Sequence, residues 1–386
     1  MNNGKLPQLA SLRKTIVHLS GRIALGAVGF LVAAGCGGSA SSGVVTPEQQ
    51  AATPAIATTA AQNGAVIVTL SDSTSGTTIY YTTDGTTPTN ASTQYIAPFL
   101  VDSNITLKAI AAAPPGVLNS QVAIQTFSPN IASGTLVWSD EFSNSGAANA
   151  RPNPSTWTYD VGTDCCGNNE LETYCAWAST TGPCAPSNPS AYVGTDGYLH
   201  IVAQNPSASV YTSARLKSQG LFSFQYGRIE ATIMLPESQG MWPAFWLLGN
   251  NIAINPWPAC GEADVMEHID GANPESLGYD WTQSSIHGTT LNGGVPFTTT
   301  GFSAASWHTY GMIWSKGQIQ YYIDSPTNTY ETFNTTNPGT GTWPFDQGPM
   351  FIILNLAVGG TWPGNPDSTT VFPSTMLVDY VRIYTN

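Results

Sequence analysis

Three carboxylates crowd the stretch Cys260-Gly261-Glu262-Ala263-Asp264-Val265-Met266-Glu267-His268. Read as a β-strand, side-chain alternation puts Glu262 and Asp264 on one face and Ala263 and Val265 on the other. Glu267 falls on the wrong face under strict alternation. A one-residue bulge after Asp264 restores it, and bulges are common beside active sites. Three acids aimed from one strand into one cleft repel one another, so a chemical purpose must offset the cost. Retaining glycoside hydrolysis needs such a set. One carboxylate attacks the anomeric carbon, and a protonated carboxyl ~5–5.5 Å away donates to the leaving oxygen. A third acid between them hydrogen-bonds the nucleophile and keeps the acid/base protonated by its negative field. No Gly-x-Ser-x-Gly elbow and no Walker or Rossmann glycine pattern offers a competing chemistry.

The elements that must hold these acids are strands. The chain has 386 residues, 41% hydrophobic and only 9% charged, the latter against an average near 25%. Its surface must therefore be polar but neutral. The 38 Gly and 27 Pro imply many turns and few long helices. A net charge of −13 excludes a surface matched to nucleic-acid phosphates. Apolar alternation recurs at 65–70, 78–82, 105–110, 198–202, 226–231, 318–323, 350–354 and 377–384, and no stretch carries a long 3.6-residue apolar period. So many strands between 131 and 386 predict one large sandwich of two antiparallel sheets. Trp138, Trp307 and Trp314 alternate with core positions and are expected to pack there. His200 and His308 are expected to be structural. Residues 51–128 read as a separate small β module. All 11 Trp fall at or after Trp138, so this module lacks the flattest sugar platforms and reads as a spacer.

Residues 1–35 form a signal peptide, with four basic residues (Lys5, Arg13, Lys14, Arg22) ahead of and beside an apolar run and no acid. Ala33-Ala34-Gly35-Cys36 resembles a bacterial lipobox, which would lipidate Cys36, although Ala33 stands where Leu is usual; ordinary cleavage nearby is the alternative. Residues 36–50 read as linker. The protein is thus expected outside the cytoplasm, either secreted or as a cell-envelope lipoprotein, and as a monomer. Secretion permits disulfides. Cys165, Cys166, Cys175 and Cys184 cluster in one long loop and allow three pairings. A bridge between adjacent Cys165 and Cys166 would be strained, which leaves the crossed and the nested alternatives; a zinc site is their rival. Cys260 is expected to be a buried thiol.

Residues 131–386 resemble glycoside hydrolase family 16 in its bulged, laminarinase-type form. Besides the acidic strand, the likeness rests on Trp138-Ser139-Asp140-Glu141-Phe142, Asn168-Asn169-Glu170-Leu171-Glu172-Thr173-Tyr174, Gly240-Met241-Trp242-Pro243-Ala244-Phe245-Trp246 and Leu354-Asn355-Leu356-Ala357-Val358-Gly359-Gly360. The resemblance implies an all-β, concanavalin-like β-jelly-roll with a small N-terminal immunoglobulin-like β module. The module's Ile79 to Thr89 is similar to the accessory module of chitobiases and hexosaminidases. The resemblance makes Glu262 the nucleophile, Asp264 its helper and Glu267 the acid/base. Trp242 and Trp246 become stacking platforms, Asn169 and Arg215 hold hydroxyls on the glycone side, and His287 sits near the acid/base. Asn355 and Trp362 are further substrate contacts. The implied partner is a β-1,3-glucan, with mixed-linkage glucan or a galactan such as agarose as alternatives in the same fold, and a non-catalytic lectin or a structural surface protein as alternatives outside this chemistry. No cofactor serves catalysis. A structural Ca²⁺ is implied at Glu141, Gly197 and Asp379. Glu172, Ala263 and His268 depart from the family pattern.

Overall fold

A computed structural model describes residues 49–386 except 145, 164–166, 271–279 and 337–341. The expected signal peptide at 1–35, Cys36, most of the expected linker at 36–50, Cys165 and Cys166 lie outside the described residues. Among the described residues no helix is long and apolar enough to cross a membrane.

Two sheets, antiparallel except where Glu172–Tyr174 pairs with Val210–Ser213, face each other across one core. The seven-stranded sheet runs, in order, Asn292–Thr298, Trp281–His287, Glu262–Glu267, Met241–Gly249, Met350–Val358, Arg215–Lys217 and Thr158–Asp160. The ten-stranded sheet behind it is centred on Ser374–Tyr384, Gly227–Met234, His308–Ser315 and Gln318–Ile323. These segments are rich in Val, Ile, Tyr and Phe, whose shape suits a pleated, half-buried surface. Alternation then sends Ile229, Ala231 and Ile233 from one sheet and Phe245, Leu247, Leu354 and Leu356 from the other into the shared core. Trp314 and Trp138 pack there as the pattern implies. Trp307 does not. It is 37% exposed and lies against Tyr198 at the surface, so period-2 spacing misplaced it. His200 and His308 pair with Asp196 and Asp324.

The small module has its own sheets. One joins Ala55–Ala60, Val66–Ser71 and Phe99–Val101; the other joins Thr93–Gln94, Thr78–Thr82, Ile105–Ala112 and Ala123–Phe127. Val68, Tyr81, Phe99 and Leu107 fill the space between them. The module is not a free spacer. The Leu100 N–H donates to the carbonyl of Ser223 at 2.9 Å, and the Ser223 hydroxyl donates to the carbonyl of Pro98 at 2.9 Å. Leu100 itself packs into the sandwich core.

The cysteine reading is corrected. Cys175 and Cys184 form a disulfide with Cα atoms 5.7 Å apart, which neither the crossed nor the nested pairing contains. The turns between them return the chain on itself within a sequence separation of 9, a proximity that spacing alone did not rank above the other closures. Cys260 is a free, buried thiol.

Candidate active site

The acidic strand spans Glu262–Glu267 near the middle of the seven-stranded sheet. Asp264 pairs with Trp246 on one side and Ser285 on the other, whereas Glu267 pairs with Ala244 and Gln283. One residue more lies on the acidic strand than on either neighbour. That bulge carries Glu267 back to the face of Glu262 and Asp264, while Ala263, Val265 and Met266 enter the core. Gly261 starts the strand at φ +84°, and a Cβ there would lie 2.9 Å from Pro344 Cγ, so the approach to Glu262 needs glycine.

All three acids line one cleft of about 830 Å³, a size that holds several sugar units. Their partners divide the roles. Trp242 Nε1 donates to Glu267 Oε1 at 3.0 Å. The Ser285 hydroxyl lies 2.7 Å from Asp264 Oδ2 and 3.1 Å from Glu267 Oε2; its single proton serves one at a time. His287 Nε2 is 3.2 Å from Asp264 and 3.9 Å from Glu262, and its Nδ1 meets Asn292 Oδ1. Both ring nitrogens thus face oxygens, which suits the imidazolium. Burial depresses the His287 pKa, but the hydrogen bond to Asp264 and the fields of the three acids outweigh this and push it up to about 9. Burial, then the charge of Asp264, pushes Glu262 and Glu267 each up to about 8. His287 and Arg215 pull Glu262 back toward its charged form, whereas Trp242, His287 and Ser285 do so for Glu267. The two glutamates therefore titrate as a coupled pair beside Asp264.

Arg215 lies on the strand between Met350–Val358 and Thr158–Asp160, opposite Asn355 on one side and Asp160 on the other. Its guanidinium stacks 4.5 Å over the Trp246 ring and its Nε is 3.0 Å from Asp160. Trp246 Nε1 donates to Asn355 Oδ1 at 2.8 Å, and Asn355 Nδ2 reaches the Tyr174 hydroxyl at 3.3 Å. Trp242, Trp246, Arg215, His287 and Asn355 all line the cleft with the acids, as does Trp362, which meets Trp242 edge-on at 5.3 Å. Trp242 does more than present a ring, because its N–H holds the acid/base candidate. Asn169 does not line the cleft. It is exposed with φ +60°, a left-handed turn that directs its neighbours Asn168 and Glu170 inward instead. Sequence reading also passed over Gln283 and the 56% exposed Trp257 on the cleft lip. The only signal for Trp257 was an aromatic between two prolines ahead of the acidic strand.

Behind Glu170 lies the buried Glu172, whose Oε2 accepts from the Val358 N–H at 2.7 Å. Burial, then the charge of Glu170, pushes its pKa up to about 8. A carboxyl raised above its unfolded value of about 4.3 contributes stability that is full below that value and is lost as pH rises through about 8. Glu172→Gln should therefore flatten the fall in melting temperature between pH 6 and pH 9. Equal slopes for both proteins would remove Glu172 from this account.

The residues singled out for calcium lie on the outer sheet. Gly227–Met234 covers one edge of Ser374–Tyr384; along the other edge Leu199–Ser207 pairs with its first half and Leu136–Asp140 with its second, with Val378 opposite Leu199 and Val381 opposite Asp140. Asp379 thus lies where Glu141 leaves one neighbour and Gly197 leads into the other. The Glu141 carboxylate is held by Arg382 at 2.9 and 2.8 Å, so only its main-chain carbonyl is on offer. Two carbonyls and one carboxylate fit a hard cation.

Comparison with known proteins follows the same division of the chain. The family model described as glycosyl hydrolases family 16 matches residues 187–382, and one described as Fn3 associated matches 68–127. A beta-glucanase from Rhodothermus marinus is 37% identical over 262 residues, 64% of this chain and 84% of that protein. A keratan-sulfate endo-1,4-beta-galactosidase from Sphingobacterium multivorum is 34% identical over 255 residues, again 64% of this chain but 54% of that protein. The laminarinase catalytic domain from Thermotoga maritima superposes with a TM-score of 0.56 at 32% identity, covering 66% of this chain and 99% of that one.

Proposed function

Because this chain belongs to glycosyl hydrolase family 16, we propose that it is an endo-acting β-1,3-glucanase of the laminarinase type that works with retention. One observation carries the reading: two glutamates flank Asp264 on a bulged strand and face one cleft, with donors aimed at them. The Glu262 carboxylate, favoured by His287 and Arg215, attacks the anomeric carbon. Glu267 passes its proton to the leaving oxygen, the glycosidic bond breaks, and a glycosyl ester forms on Glu262. Glu267, now a carboxylate, takes a proton from water, which opens the ester and releases the β anomer. Asp264 spans the pair and, by its charge, holds the shared proton until it is needed.

Reducing-sugar release from a polymer panel tests the reading. Laminarin and curdlan should be cut internally to oligosaccharides, and agarose, xylan and cellulose far less. Cleavage of agarose with laminarin untouched would overturn the specificity and favour the galactan alternative. Absence of release from every polymer would favour a lectin.

Two further readings belong here. A Ca²⁺ bound by Glu141, Gly197 and Asp379, its shell completed by waters, would stabilise the folded state alone. EDTA should then lower the melting temperature of the wild type and leave Asp379→Ala unmoved; a wild type indifferent to EDTA and to calcium refutes the ion. Lipidation of Cys36 would place the enzyme on the cell envelope. Cys36→Ser should move it from the membrane fraction to the soluble one, and a soluble wild type refutes the anchor.

A further inference from the structure

A second cavity lies in the seam between the small module and the sandwich. It encloses about 400 Å³, within the range of small-ligand sites. From the module it takes Tyr80 and the turn Asn90–Gln94; from the sandwich it takes the 3₁₀ helix Asn250–Ala253 with its flank to Asn255, and Gln347–Pro349. Among the described residues no charged one lines it. Six side-chain amides converge there instead: Asn90, Gln94, Asn250, Asn251, Asn255 and Gln347. Asn250 is only 7% exposed, and its Oδ1 is buried without a hydrogen-bond partner. A buried carbonyl left bare costs stability, and the neighbouring amides of Asn255, half-buried, and Asn90, exposed, are the ones a ligand hydroxyl can reach. The walls are held apart at a fixed distance. The two Leu100–Ser223–Pro98 hydrogen bonds pin the seam, and Thr93 presses so closely on Gly348 that a Cβ there would lie 3.2 Å away.

We propose that this seam is a second binding site for a neutral polysaccharide segment. A neutral, amide-lined cavity disfavours ions. It matches the alternating donors and acceptors of sugar hydroxyls, and Tyr80 supplies an aromatic residue. The placement gives the site a purpose. Ile252, in the same short helix as Asn250 and Asn251, lines the catalytic cleft. A chain held in the seam is thereby kept beside the cleft, raising its effective concentration there. The polymer identity rests on the β-glucan reading; the existence of the site does not.

The test uses the full chain carrying Glu262→Gln, so that polymer is bound and not cut. Affinity electrophoresis in gels containing laminarin, barley mixed-linkage glucan or agarose reads retardation. Asn255→Ala, at a half-buried position, and Asn90→Ala, at an exposed one, remove seam amides with little risk to folding, and a thermal melt checks this. Each lost hydrogen bond should weaken binding about three- to tenfold. In the active background the same variants should slow hydrolysis of insoluble curdlan and leave kcat/KM on laminaritetraose unchanged. Retardation equal to the parent in every gel, with curdlan hydrolysis unaltered, overturns the seam site. Weakened retardation by agarose in place of laminarin would support the site while refuting the β-glucan reading.

Discussion

Glu262→Gln and Glu267→Gln should each abolish measurable turnover on laminarin while the protein stays folded. The swap keeps side-chain volume and removes either the attacking charge or the transferable proton. General acid–base catalysis alone is worth about 10²–10⁴-fold, and loss of the nucleophile removes the covalent route altogether. Folding should survive because the acids crowd one another. Removing a charge beside Asp264 relieves repulsion, and in Glu267→Gln the new amide oxygen can still accept from Trp242 Nε1 while the amide nitrogen donates to the Ser285 hydroxyl, which keeps its bond to Asp264. Proton NMR of fresh wild-type product should show the β anomer first. Initial appearance of the α anomer would overturn double displacement, and so would near-wild-type turnover in either variant.

The pH dependence of kcat/KM on laminarin should carry the second large effect. Only the form with Glu267 protonated and Glu262 ionised acts; burial and Asp264 raise both glutamates to about 8, and the pair loses its last proton near that value. The acid form is present below that value and disappears above it, so activity should fall about tenfold per unit above pH 8. The cause can be separated from general alkaline damage. Asp264→Asn removes the charge that holds the proton on Glu267, so the alkaline limb should move to lower pH even where the variant remains active. An unmoved limb would mean that Asp264 does not set the acidity of Glu267.

Much of this protein follows from local pattern. Alternation marked strands such as Gln318–Ile323 at their observed bounds, because a half-buried strand must alternate whatever it packs against. The same rule located the bulge: three acids can share one face of Glu262–Glu267 only if an extra residue intervenes, and Asp264 and Glu267 are offset by one residue against both neighbours. Tertiary structure decided what local pattern cannot carry. Period-2 spacing says which residues share a face but not whether that face is covered, so Trp314 is core and Trp307 is surface. Spacing in a turn-rich loop does not fix backbone handedness, and a single left-handed residue at Asn169 hands the cleft to Asn168 and Glu170. Cysteine counting could not rank Cys175–Cys184, because pairing depends on where turns return the chain. Residues far apart in sequence meet only when strands pair across the sheet, as Trp246 does with Asn355 over a separation of 109. The small module docks on Ser223 through Pro98 and Leu100 by the same kind of distant contact. The free energy of such contacts comes from desolvation and hydrogen bonding between surfaces that local sequence does not encode as neighbours, so local pattern made the acids legible as chemistry, whereas Trp242, Trp246, Arg215, His287 and Asn355 were named through the family resemblance and only the fold brings them to the cleft.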